Sequence, residues 1–135
     1  MSKIKKLLLT LLLPISLFGQ TETIILDESW YPRKNKWATD DYSYVQMTPT
    51  EFFLTERTRG TEYWVQGNIR STDNPNQFWV IWMNTPILRV HVVRIEDEVG
   101  LHLYSPTKRT DRYFNGHVAS EKEVNKIKKY NTKQR

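Results

Sequence analysis

Two of the three histidines in this 135-residue chain, His91 and His102, sit in adjacent segments of alternating apolar residues whose mutual register can be worked out. A turn centred on Glu96-Asp97 pairs Val90 with Leu103, Val92 with Leu101 and Arg94 with Val99, so that apolar meets apolar on one face. On the other face the same register sets His91 opposite His102, Arg89 opposite Tyr104 and Val93 opposite Gly100. Two neutral imidazoles facing each other across a strand pair, with Cβ atoms about 5 Å apart, are candidate ligands for Zn²⁺ or Cu²⁺. The local sequence offers no third ligand, and His117 lies just beyond the following segment. The alternative for both histidines is a polar outer face or a pocket wall.

Five tryptophans and seven tyrosines raise a second chemistry. Aromatic faces supply large apolar contact and stack on sugars or line apolar cavities, although the interior of a small barrel also has to be filled with bulky side chains. Strand alternation puts Trp64 and Trp79 on the faces opposite Val65 and Val80. These two indoles, with Trp82, Tyr104 and Arg89, are the expected ligand-contacting residues. Replacing Trp82 is expected to harm ligand capture or folding, and replacing Trp64 to harm partner binding.

The chain carries no Gly-x-Ser-x-Gly elbow, no His-Glu-x-x-His, no phosphate-cradling glycine loop and no cysteine. Glu96, Asp97 and Glu98 cluster at a hairpin tip, where they point apart, unlike the facing carboxylates of a glycosidase. Neither enzymatic activity nor a cofactor is expected from these features, and without cysteine there is no disulfide framework.

Lys3, Lys5 and Lys6 precede an apolar run from Leu7 to Phe18, the composition of a secretory signal peptide cut after Gly19. The run is about a dozen residues, short of the roughly 20 that a spanning helix needs. Three parts follow: a signal peptide over residues 1–19, a β-barrel-like domain over 20–120, and a C-terminal helix with a basic tail over 121–135. A secreted or periplasmic location is expected, with no transmembrane segment after cleavage. The net charge of +5 is unevenly spread: residues 20–120 hold 11 basic and 13 acidic side chains, residues 121–135 six basic and two acidic. A basic tail on a mildly acidic body lacks the broad basic face that nucleic acid requires, so no nucleic-acid partner is expected.

The elements that must position these residues are strands. Alternation of period two in short runs, broken by Gly, Pro, Asn and Asp, predicts strands over Glu22–Leu26, Tyr42–Thr48, Glu51–Arg57, Glu62–Ile69, Gln77–Asn84, Leu88–Ile95, Glu98–Tyr104 and Thr110–Gly116. Thr58-Arg59-Gly60 reads as a hairpin turn, Ser71 to Asn76 as a polar loop, and Thr85-Pro86 as a strand end. The run from Phe78 to Met83 is apolar on both faces and should be covered on both. No link is long and amphipathic enough to connect parallel strands. Ser120-Glu121-Lys122-Glu123 has capping-box spacing and opens a helix whose apolar stripe is Val124, Ile127 and Tyr130. Ser29 to Asp41 has no readable register. The fold class is all-β: an antiparallel up-and-down meander or barrel of about eight strands with one C-terminal helix.

This order of elements, with the late hairpin Val90-x-Val92-x-x-Ile95-x-x-x-x-Gly100-Leu101-x-Leu103, a final strand at Arg112-Tyr113-Phe114 and a helix after it, resembles the lipocalin-like (calycin) domains of exported bacterial proteins. The resemblance implies a barrel holding a small apolar or amphipathic ligand. It also implies a first-strand tryptophan, Trp30 or Trp37, covered by the cation of Arg112, although the glycine that precedes this tryptophan in the family is missing here. A seven-stranded sandwich closed by a helix, similar to the pleckstrin type, fits the same order. The partner expected is therefore a small apolar or amphipathic molecule or, alternatively, an envelope protein contacted through exposed aromatics in an inhibitory or accessory role.

Overall fold

The computed structural model describes residues 21–31, 34–39, 43–58 and 61–133. The expected signal peptide and the Arg59-Gly60 turn lie outside the described residues. Among the described residues nine strands run in chain order: β1 (Glu22–Tyr31), β2 (Lys36–Thr39), β3 (Tyr44–Met47), β4 (Glu51–Thr58), β5 (Thr61–Ser71), β6 (Gln77–Trp82), β7 (Thr85–Ile95), β8 (Glu98–Ser105) and β9 (Thr110–Val118). One helix, α1 (Glu121–Lys133), follows them.

Every pairing is antiparallel, and β9 returns to pair with β1, which closes an eight-stranded barrel from β1 and β3 to β9. That closure decides between the barrel and the open sandwich. β2 pairs with the far half of β1 along the edge that β3 occupies near its start, so it adds to the wall without adding a ninth stave. Gly116 permits the seam: a Cβ there would lie 1.9 Å from the carbonyl oxygen of Ile25, a close approach that only glycine allows.

The interior is mainly apolar. Ile24, Leu26, Val45, Phe52, Leu54, Val80, Val90, Leu101, Leu103 and Phe114 alternate inward and form one buried cluster. Outward positions carry Arg70, Arg89, His91, His102, Asp111 and His117, the reverse of the apolar-out alternation of a membrane-spanning barrel. Among the described residues no helix is long and apolar enough to cross a membrane.

The β7–β8 register is the one read from the sequence, with His91 opposite His102 and Arg89 opposite Tyr104. The capping box also forms: Glu123 N–H donates to Ser120 Oγ at 3.2 Å, and Ser120 N–H donates to Glu123 Oε1 at 3.0 Å. Helix α1 lies on the outside of the barrel, where Ile127 and Tyr44 are buried and Asn131 donates to the Tyr44 hydroxyl at 3.0 Å.

Three expectations are corrected. Thr85-Pro86 starts β7; β6 ends at Trp82, and Met83 and Asn84, with φ of 50° and 64°, make the two-residue turn between them. Pro86 is tolerated because it sits at the register shift between Val80 and Ile81. The expected covering of β6 on both faces is incomplete: its outward residues Trp79 and Ile81 are half-buried, and Trp82, in the inward phase with Phe78 and Val80, is 51% exposed at the barrel end. Finally, the unreadable segment contains β2, held by the cross-strand pair Trp30 and Trp37, whose ring centroids are 5.5 Å apart.

Candidate functional site

An eight-stranded barrel is just wide enough for its own side chains or for one small ligand. Here the two ends differ. Towards the end that carries the 72–76 and 96–97 links, Phe52 and Phe78 meet with centroids 5.8 Å apart, and Met47 and Ile69 pack on the same core. Towards the other end a cavity of about 520 Å³ remains, walled by Leu54, Val65, Leu88 and Leu103 and rimmed by Tyr63, Ser105, Lys108 and Arg112. This lies within the range of ordinary small-molecule sites, about 300–1,000 Å³. A groove of about 1000 Å³ at the opposite end, between β3 and the start of α1, has mixed polar and apolar walls that include Gln46 and Lys128.

Two charged residues, Glu56 and Arg112, occupy inward positions at this end of the barrel, and Arg112 lines the cavity. On β4 the inward phase runs Phe52, Leu54, Glu56, and Glu56 faces Tyr63 across the β4–β5 pair. On β9 it runs Arg112, Phe114, and Arg112 faces Leu103. The Arg112 guanidinium donates to Glu56 Oε1 and lies over the Phe114 ring, 5.1 Å from its centroid. Glu56 is only 4% exposed and Arg112 38%, so the carboxylate lies deep and its counter-charge reaches the opening. Glu56 Oε2 is buried and, among the described residues, has no hydrogen-bond partner. At the rim the Lys108 ammonium stands 5.8 Å from the centre of the Tyr63 ring. The cavity thus has an apolar wall and a rim that carries two cations, Lys108 and Arg112, the second paired with a buried carboxylate.

The residues singled out in the sequence lie elsewhere. Trp64, Trp79, Trp82, Tyr104 and Arg89 are not among the cavity walls. Trp64 projects from the outer surface of β5 at 58% exposure, and Trp82 is at the end of β6 by the turn. Three of the five do converge on the outer face: the Arg89 guanidinium sits between the rings of Trp79, at 5.9 Å, and Tyr104, at 5.0 Å. Arg70 flanks Trp79 on β5.

The covering role implied for Arg112 is not met either. A β-bulge at Asp27 shifts the register between Leu26 and Glu28. This reverses the alternation, so Trp30 turns outward to Trp37 while Arg112 turns inward to Glu56.

Of the histidines, His91 and His102 face each other as expected, but His102 is engaged with other groups. Its Nε2 is 2.6 Å from Asp111 Oδ1, and its ring stacks on Tyr113 with centroids 4.5 Å apart. Among the described residues no three His, Asp or Glu side chains converge as metal ligands would. His117 instead joins the barrel to the helix, with Nδ1 2.8 Å from Asp27 Oδ2 and Nε2 2.8 Å from Glu123 Oε2. The hydrogen bond to Asp27 raises its pKa against the opposing effect of burial, and Glu123 adds to the rise. The Glu123 pKa is lowered by the backbone N–H of Ser120 first and by His117 second.

Sequence reasoning missed Glu56 and Arg112 as a pair, although a signal was present. Each charge occupies the inward phase of an otherwise apolar strand, and an inward charge requires a partner or a ligand. No protein-family model matches the chain, and no curated protein matches it in sequence. Its architecture, a closed eight-stranded antiparallel barrel with one C-terminal helix, is consistent with a calycin-like fold.

Proposed function

We propose that this protein is a binding module that holds a small amphipathic molecule in the open end of its barrel. The observation that carries the reading is the half-filled interior: mainly apolar walls around about 520 Å³, with the Arg112 guanidinium at the rim. A domain that needed only to fold gains more from filling such a space, because a void forfeits the contacts of every side chain lining it.

The test is displacement of an environment-sensitive apolar fluorophore, followed by native mass spectrometry of the protein purified gently from its host. Val65→Trp, which puts an indole into the cavity, is expected to abolish fluorophore binding while the fold persists. Trp79→Ala, on the outer face, is expected to leave binding intact. The opposite pattern moves the site to the outer aromatics and ends the cavity reading.

A second reading, contact with an envelope protein, is favoured by Trp64, exposed on the outside of β5, and by Trp82 and Met83, exposed at the end of β6 and in the turn after it. Co-purification of a protein partner that Trp64→Ala releases supports it. Export to the periplasm or beyond is part of both readings and rests on the lysines and apolar run before Gly19. The N-terminal mass of the mature form checks it: a chain starting at Gln20 is expected, and an intact Met1 refutes export by cleavage.

A further inference from the structure

The two ends of the barrel differ in surface charge as well as in filling. At the closed end the links are polar and acidic: residues 72–76 include Asp73, residues 96–97 are Glu96 and Asp97, and α1 begins there with Glu121 and Glu123 in its first turn. Arg94 is paired there with Glu22. The open end is built from the links 32–35, 59–60, 83–84 and 106–109. Its exposed cations are Lys34, Lys36, Lys108 and Arg109. Among the described residues the carboxylates of this half, Glu56 and Asp111, are engaged by Arg112 and His102.

Helix α1 repeats this polarity. It runs from the closed end to Arg57, near the end of β4, whose guanidinium donates to Asn131 Oδ1 at 3.4 Å and lies 4.2 Å from the centre of the Tyr130 ring. After its acidic first turn, Lys126, Lys128 and Lys129 follow in the direction of the open end.

Exposed apolar groups stand among the cations of the open end. Met83, 82% exposed with φ of 50°, forms the tip of the β6–β7 turn directly after Trp82. Tyr63 and Trp37 are exposed at the same end, and the Lys108 ammonium lies beside the Tyr63 ring. These groups surround an opening, whereas a protein interface gathers its apolar side chains into a contiguous core within a polar rim. Indole and thioether tips set among Lys and Arg match the headgroup layer of an anionic bilayer, where indole rings settle and cations meet lipid phosphates.

We propose that the open end of the barrel docks on an anionic lipid bilayer, with Trp82 and Met83 entering the headgroup layer and Lys34, Lys36, Lys108 and Arg109 facing the lipid phosphates. Seated in this way, the cavity opens onto lipid instead of water. The docking itself does not depend on the cavity holding a ligand.

The experiment is vesicle flotation with the chain that starts at Gln20, which contains every described residue and lacks the apolar run before Gly19 that would bind lipid by itself. Binding to equimolar phosphatidylglycerol and phosphatidylcholine is expected to exceed binding to phosphatidylcholine alone by roughly tenfold or more, and to weaken as salt is raised. The variants Trp82→Gln/Met83→Asn and Lys108→Gln/Arg109→Asn place asparagine where φ is 50° and 53°, so the turns persist. Each is expected to lower affinity for the anionic vesicles roughly tenfold. Ile95→Gln, at an exposed apolar position of the other end, is expected to leave it unchanged. No binding to anionic vesicles, or equal binding to both vesicle types, overturns the proposal. Binding that neither double variant weakens, or that Ile95→Gln weakens as much, overturns it too. A protein that co-purifies through Trp82 and Met83 while vesicles do not bind overturns it in favour of an envelope-protein partner. The wild-type comparison of the two vesicle types is decisive even if a double variant does not fold.

Discussion

Removing Arg112 exposes what the barrel does with a buried carboxylate. In Arg112→Met the stem keeps its apolar bulk, but Glu56, 4% exposed, loses the guanidinium that holds its Oε1, and its Oε2 has no partner in the first place. Breaking a fully buried pair from one side costs about 3–5 kcal/mol. Arg112 is 38% exposed and the cavity opens to water, so the figure falls to about 2–3 kcal/mol. The converse change, Glu56→Gln, leaves a cation that already reaches solvent and should cost no more than about 1 kcal/mol. Replacing both with leucine should return stability to within about 1 kcal/mol of wild type, because no charge is then stranded. Urea unfolding followed by tryptophan fluorescence reads the difference. With a slope of about 1.5 kcal/mol per molar for a domain of this size, Arg112→Met lowers the midpoint by about 1.3–2 M and Glu56→Gln by no more than roughly 0.7 M. Equal shifts for the two single variants would falsify the argument, since they would mean that the carboxylate is as well hydrated as its partner.

Gly116→Ala places a methyl group against the Ile25 carbonyl and is expected to open the β1–β9 seam at a cost of about 3 kcal/mol, read as lost hydrogen-exchange protection in those two strands. Ser120→Ala removes the oxygen that accepts from Glu123 N–H, and a loss of about 1 kcal/mol in thermal or urea unfolding is expected. The His117 bridge makes helix docking depend on pH. The His117 pKa lies above its ordinary 6.5 in the folded chain, so its contribution is complete below about pH 6.5 and fades as the pH rises through the raised value. Glu123 lies below its ordinary 4.5, so its share is present above about pH 4.5 and fades as the pH falls through the lowered value. Docking is thus firmest between about pH 4.5 and 6.5. His117 faces Asp27 on β1, Glu98 on β8 and Glu123 on α1, and a His117→Gln variant should lose the alkaline slope of the thermal midpoint measured across pH. A slope unchanged in that variant refutes the assignment.

Most of the fold was legible because it is written in local patterns. The β7–β8 register follows from matching Val90, Val92, Leu101 and Leu103 on one face, and a slip of one residue would turn all four to solvent. The capping box at Ser120 and Glu123 depends on a three-residue spacing and formed as read. Where reading failed, a local feature had been overridden. The bulge at Asp27 reverses alternation midway along β1, so a period-two reading carried through it would assign Trp30 to the wrong face. Met83 occupies a left-handed turn position usually taken by Asn or Gly, which hid the β6–β7 turn behind the more familiar Thr85-Pro86 signal.

The sequence by itself determined the antiparallel strand order, the paired faces of the central hairpin and the start of the helix, because each depends on residues close in the chain. Only the tertiary structure decided that β9 closes on β1, that Trp79, Tyr104 and Arg89 converge on the outer wall, and that Glu56 meets Arg112 inside. Glu56 and Arg112 are 56 residues apart in the chain, and their contact exists only once the barrel wraps β9 round to face β4 across its interior. Alternation assigns a residue to a face, whereas the curvature of the closed sheet decides which residues of that face meet.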